Sequence, residues 1–274
     1  MKAESWKRES KNKEDVMNEQ ERLKEILENY GKIAIAYSGG CDSNFLLHYA
    51  IQCLGKDNVL AVLCEGAMMS REDLQEAKNY LKDLPHVIVP LNVFDIKEFT
   101  TNDKRRCYFC KKNVMSHVLE EAHSHGFDFV CDGMNLDDVG VYRPGQEATK
   151  ELGILSPLYD AGFTKKMIRA CSKEMHIPTY NKPANACLAS RFDYDTLLTS
   201  EKLNRVDQAE AYLHQKGIRH CRVRCHDDLA RIEVESKERV QVLEDQELIP
   251  YFKTLGFRFV TLDMEGITSG GYDR

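Results

Sequence analysis

From about residue 20 onward, short apolar runs alternate with longer stretches in which apolar residues recur at helical spacing. Leu23, Ile26, Leu27 and Tyr30 fall on one helical face, and Gly31 is placed to end that helix. Ile33–Tyr37 predicts a first strand, and a helix follows through Phe45, Leu46 and Leu47. Val59–Leu63 repeats the strand signal, and Ser70-Arg71-Glu72-Asp73 opens the next helix as a capping box would. His86–Pro90 predicts a third strand. Phe127–Cys131 predicts a fourth, after a helix through Val114, Val118 and Leu119. Buried strands separated by helices imply right-handed crossovers and a parallel sheet.

The pattern changes between Pro178 and Pro183, two prolines that bracket a stretch unsuited to a helix. Beyond it come a helix from about Ser200 to Gln215, strands over Arg219–Cys225 and Ala230–Val234, a helix from Ser236 and a last strand over Phe257–Asp263. The expected architecture is therefore α/β: a doubly wound parallel sheet over residues 1–180, with a second, smaller α+β domain over 181–274. The charged lead before residue 16 is expected to be frayed.

Composition narrows the class. Lys and Arg number 38 against 44 Asp and Glu, and a net charge of -6 argues against a general nucleic-acid or anionic-membrane binder. A hydrophobic content of 42% excludes a disordered chain. No run approaches the ~18 apolar residues of a membrane span, and the charged start lacks the apolar core of an export signal. The 10 cysteines therefore read as reduced thiols of a cytoplasmic protein, available for metal or redox work.

The most informative segment is Ser38-Gly39-Gly40-Cys41-Asp42-Ser43, between the first strand and its helix. Glycines let the backbone turn tightly and present N–H groups at a helix N-terminus, where the dipole also favours an anion. The hydroxyls of Ser38 and Ser43 add donors, and Asp42 is a candidate ligand for Mg2+. The lysine of the GxxxxGK[ST] loop is absent, which separates this loop from those of kinases and GTPases.

Cys107-Tyr108-Phe109-Cys110 is a C-x-x-C flanked by Lys104, Arg105, Arg106, Lys111 and Lys112, cations that favour thiolates. By itself it fits half a zinc site, a redox pair, two iron–sulfur ligands or two buried thiols. Arg222 and Arg224 alternate on a strand and so point the same way, able to grip one phosphate or carboxylate. The competing reading is a solvated strand face. Asp137, Asp138, Tyr142, Arg143, Pro144 and Gly145 form a polar loop after the fourth strand, where doubly wound sheets bind ligands.

The hexapeptide at 38–43 resembles the pyrophosphate loop (PP-loop) of the ATP pyrophosphatase superfamily. Several further segments are similar to the LarE family of ATP-dependent sulfur transferases, which act in nickel-pincer nucleotide biosynthesis. They are Asp132–Asp138, Tyr142–Gly145, Ser156–Leu158, Lys182–Ala184, Cys187–Arg191 and Arg222–Arg224. The resemblance runs from about residue 20 to 268. It implies that ATP adenylates a carboxylate of a pyridinium dicarboxylate mononucleotide, which is then converted to a thiocarboxylate. On this basis Ser38, Gly39, Gly40, Asp42 and Ser43 would hold ATP and its Mg2+, with Arg191, Arg222 and Arg224 on the anionic substrate. Some family members sacrifice a cysteine at the position of Cys187; others add a C-x-x-C and bind a [4Fe-4S] cluster. This chain has the C-x-x-C, so Cys107, Cys110 and Cys187 are the implied cluster ligands. A homo-oligomer is the expected state; the sulfide source is not legible. A tRNA thiolase shares the loop, and the basic cluster at 104–112 favours it, but the acidic net charge and the lack of an added RNA-binding domain weigh against tRNA as partner.

Overall fold

The computed structural model describes residues 18–139, 144–183 and 186–267. The charged lead lies outside them, as do Tyr142, Arg143 and Ala184. A first helix, α1, covers 18–30. It stops where Gly31 adopts φ 71° and donates its N–H to the Leu27 carbonyl. The four-stranded sheet comprises β1 (Ile33–Tyr37), β2 (Val59–Glu65), β3 (His86–Pro90) and β4 (Phe129–Cys131) in the order β3-β2-β1-β4. Every pairing is parallel. The helices between them are α2 (Cys41–Leu54), α3 (Arg71–Leu81), α4 (Lys97–Thr100) and α5 (Arg106–Ser124).

The chain steps outward from β1 to β2 to β3, then returns to place β4 on the other side of β1. Strand order therefore reverses between β1 and β4, and ligands of such sheets bind beyond the strand C-termini at that reversal. The segments that follow these two strands are the Gly-rich loop and the polar loop at 132–138.

After β4 come α6 (Pro144–Glu151), α7 (Pro157–Asp160) and α8 (Lys165–Glu174). Pro144 and Gly145, expected in a loop, open α6, where proline suits the first helical turn. Pro178–Asn181, expected to be non-helical, forms a single 3-10 turn.

The second sheet is built from β5 (Cys221–His226), β6 (Leu229–Val234) and β7 (Phe259–Leu262), in that order. β5 and β6 pair antiparallel, β6 and β7 parallel. α9 (Ser200–Gln215), α10 (Arg239–Glu244) and α11 (Leu248–Thr254) accompany it. Thr199 caps α9 through its hydroxyl, accepting from the Lys202 N–H.

The chain divides into two compact units. One is formed up to Glu65 and by Gln75–Pro90 and the stretch from Lys111 to Pro183; the other by Gly66–Leu74, Leu91–Cys110 and the chain from Ala186 onward. Residues 66–74 and 91–110, which the sequence assigns to the first domain, thus belong to the second unit. The reason is apolar: Val93 and Phe99 are buried in the same core as Phe192, Leu213, Val223 and Phe252. Polar ties add to it, since Arg71 donates to Asp207 from its backbone N–H and its Nε at 3.2 and 2.6 Å.

Candidate active site

Within the first unit, β1 ends at Tyr37 and α2 begins at Cys41, leaving Ser38, Gly39 and Gly40 to make the turn. Gly39 has φ 71°, and a Cβ there would stand 2.7 Å from the Ala77 Cβ, so only glycine fits. No side chain among the described residues caps the start of α2, which leaves its first N–H groups as donors for an anion. The hydroxyls of Ser38 and Ser43 lie 3.2 Å apart beside them.

Asp42 is held by a residue that sequence reading missed. Lys165 donates to both of its carboxylate oxygens, at 2.6 and 2.7 Å. Burial pushes the Asp42 carboxyl up, and Lys165 works against that shift. The lysine is fixed from its own backbone too, because its N–H donates to Asp137 Oδ2 at 2.7 Å. Asp137 in turn belongs to a capped turn in which Asn135 and Asp138 satisfy each other's backbone. The polar loop after β4 therefore aims α8 at the phosphate loop. Gly133 permits the close approach: a Cβ there would meet Ser43 N at 3.1 Å and Asp42 Cβ at 3.2 Å.

The second unit gathers the other expected residues. Arg191 is buried and forked onto Glu210, with Nε and Nη2 contacts of 2.7 and 2.8 Å. Arg224 is likewise buried and forked onto Glu233 at 2.9 and 3.0 Å, and also donates to the Ser190 carbonyl. Arg222 differs. It makes no ion pair among the described residues, and its buried Nε has no hydrogen-bond partner. Burial and the nearby charges of Arg191 and Arg224 depress its pKa. Two of the three arginines are thus already neutralised, and one is held charged beside them with capacity to spare.

Cys107, Cys110 and Cys187 all lie in this second unit. Cys107 is exposed in the first turn of α5; Cys110 and Cys187 are half-buried against the same apolar core. Burial pushes the Cys187 thiol up, as does Cys107, while Arg106 and Arg191 oppose the shift. Of the basic residues around the C-x-x-C, Arg106 is buried with its Nη1 lacking a hydrogen-bond partner among the described residues, whereas Lys112 pairs with Glu151 at 2.8 Å. Among the described residues no group of three or more His, Cys, Asp or Glu is drawn together as a metal site. The three thiols suit an iron–sulfur group by donor softness and shared unit, without forming a closed ligand set as they stand. Among the same residues no helix is long and apolar enough to cross a membrane.

A parallel sheet with a Gly-rich anion loop at its reversal point, no loop lysine and an acidic side chain on the first helical turn defines an α/β ATP pyrophosphatase domain of the PP-loop type. A profile of the NAD synthase family matches residues 16–118, the part of the chain that holds the loop. The pyridinium-3,5-bisthiocarboxylic acid mononucleotide synthase of Lactiplantibacillus plantarum is 34% identical over 89% of this chain and 90% of its own. The chain belongs to that synthase's family, the LarE family. Uncharacterized proteins of Synechocystis sp. and Methanocaldococcus jannaschii are 37% and 32% identical, over 93% and 89% of this chain and 96% and 93% of theirs.

Proposed function

We propose that this protein is an ATP-dependent sulfur transferase that converts a carboxylate of a pyridinium dicarboxylate mononucleotide to a thiocarboxylate. The observation that carries the reading is the uncapped start of α2 behind Ser38–Ser43, in a chain that aligns nearly end to end with a synthase of such a mononucleotide. Carboxylates are poor acyl donors. Attack of the carboxylate oxygen on the α-phosphate makes an acyl-adenylate, and pyrophosphate departs with its charge spread over the loop N–H groups. Asp42 would hold Mg2+ on that pyrophosphate. Lys165, which the ion would replace at the Asp42 carboxylate, is then free to pair with phosphate oxygen. Arg222 meets an anionic group of the substrate, while Arg191 and Arg224, forked onto Glu210 and Glu233, form its rigid, charge-balanced neighbours. Cys107, Cys110 and Cys187 would hold a [4Fe-4S] cluster, which when bound would carry hydrosulfide from an external sulfide source to the acyl-adenylate, where it would displace AMP.

The first test is the product pair. With Mg2+ and the mononucleotide, ATP should give AMP and pyrophosphate, and Asp42→Ala should abolish both; ADP and phosphate would sink the reading. The second is anaerobic purification followed by iron and sulfide analysis, with the polypeptide weighed after turnover. Iron should fall in each single Cys→Ala variant and the chain mass should stay constant. A loss of about one hydrogen sulfide per chain would instead mean that Cys187 is consumed.

A further inference from the structure

Asn44 is out of place by ordinary rules. Asparagine is a poor helix former, and Asn44 sits in the first turns of α2 with an exposure of 0%. Its carboxamide joins two other groups. The Tyr37 hydroxyl, buried at the end of β1, donates to Asn44 Oδ1 at 2.8 Å, and Asn44 Nδ2 donates to the Gly40 carbonyl at 3.1 Å. That carbonyl also accepts from the Asn44 backbone N–H at 3.1 Å and the Ser43 hydroxyl at 3.2 Å. Beneath the loop, the Tyr37 ring lies 4.0 Å from the place of a Gly39 Cβ.

Packing alone does not call for this chain of polar groups. A phenylalanine and a leucine would fill the same space with no hydrogen bond to satisfy, often at little cost in stability. What the polar pair adds is a grip on the Gly40 carbonyl. In a planar trans peptide the C=O and the following N–H point in opposite directions. Pulling the Gly40 carbonyl into the helix therefore aims the Cys41 N–H outward, at the uncapped end. A carbonyl oxygen has two lone pairs, and Asn44 alone supplies two donors to this one. The Ser43 hydroxyl can then leave it for an incoming anion without orphaning a buried acceptor.

On these grounds we propose that Tyr37 and Asn44 are positioning residues for pyrophosphate: a buried strut that holds the phosphate loop in its anion-receiving form and releases the Ser43 hydroxyl to the ligand. The proposal rests on the reading of Ser38–Ser43 as a pyrophosphate site. The experiment is calorimetric titration of the full chain with inorganic pyrophosphate in Mg2+, with adenosine as the phosphate-free control and a thermal melt for each variant. Asn44→Leu should bind pyrophosphate about tenfold more weakly, the scale of one lost hydrogen bond to a charged group, and adenosine as before. Tyr37→Phe, the smallest deletion, should keep the fold and weaken pyrophosphate in the same direction by about threefold. The double variant separates positioning from mere stability. With both partners apolar no buried hydroxyl is orphaned, so its melting temperature should recover toward wild type while pyrophosphate binding stays weak. Recovery of pyrophosphate affinity along with the melt, or wild-type affinity in both single variants, overturns the strut. Absence of pyrophosphate binding in the wild type overturns the loop reading beneath it.

Discussion

At the scale of single residues, the arginines of the second unit show why side-chain type and spacing stop short of role. The alternation of Arg222 and Arg224 along β5 is legible in sequence, but the partner of each is not. Glu233 stands directly opposite Arg222 in the strand register, yet forks onto Arg224 on the diagonal. Glu210 reaches Arg191 from another element, α9. The consequence is an opposite response to similar substitutions. Arg191→Met leaves a buried carboxylate without its counter-charge and should destabilise the protein by about 3–5 kcal/mol in urea unfolding. Arg222→Met removes a cation that burial and two like charges already disfavour. It should leave the unfolding midpoint unchanged and raise KM for the mononucleotide about tenfold or more, with KM for ATP nearly unaltered. Cys187 offers a separate check. Because its thiol pKa is raised, less thiolate exists at neutral pH than in an ordinary cysteine of pKa about 8.5. Alkylation of Cys187 in metal-free protein should therefore keep accelerating with pH beyond the ordinary thiol range, and exposed Cys107 should be modified first when peptides are mapped by mass spectrometry.

At the scale of elements, what could be read from sequence was what local chemistry dictates. Gly39 and Gly40 between an apolar run and a helical period mark a strand–turn–helix, and Ser70 with Asp73 marks a helix start; the Ser70 hydroxyl does accept from the Asp73 N–H at 3.1 Å. α8 was missed although its signal was present: Ile168, Cys171 and Ser172 recur at helical spacing along its buried face, with Thr164 as a capping residue before it. With α8 went Lys165, whose partner Asp42 is 123 positions away. No local pattern carries such a pair; only the return of the chain to place β4 beside β1 brings it about. Gly133 is the joint that makes the return tight. Gly133→Ala should push Asp42 and Ser43 by a few tenths of an ångström, leave thermal stability within about 1–2 kcal/mol of wild type and cut pyrophosphate formation far more than substrate binding. Loss of both in proportion would mean that the glycine serves packing alone.

For the whole molecule, the class of fold was legible because four apolar strands alternating with helices leave few topologies open. The allotment of residues to the two units was not, because Val93 and Phe99 carry no mark of the core they join. Interleaving of this kind makes each unit depend on distant chain. The isolated stretch from residue 186 to the end lacks Val93, Phe99 and the Arg71 tie to Asp207, so it should show no cooperative unfolding by circular dichroism; a sharp melt would refute that dependence. The same connectivity bears on how the protein is made. Synthesis proceeds from the N-terminus at about 5–20 residues per second, so Phe99 leaves the ribosome on the order of ten seconds before Phe252 and Phe257 exist to cover it. Through most of that interval, once β4 has emerged, a nascent chain able to form its first sheet still carries Val93 and Phe99 uncovered. Its yield in a cell then depends on holdase chaperones and on the speed of translation as well as on the stability of the finished fold.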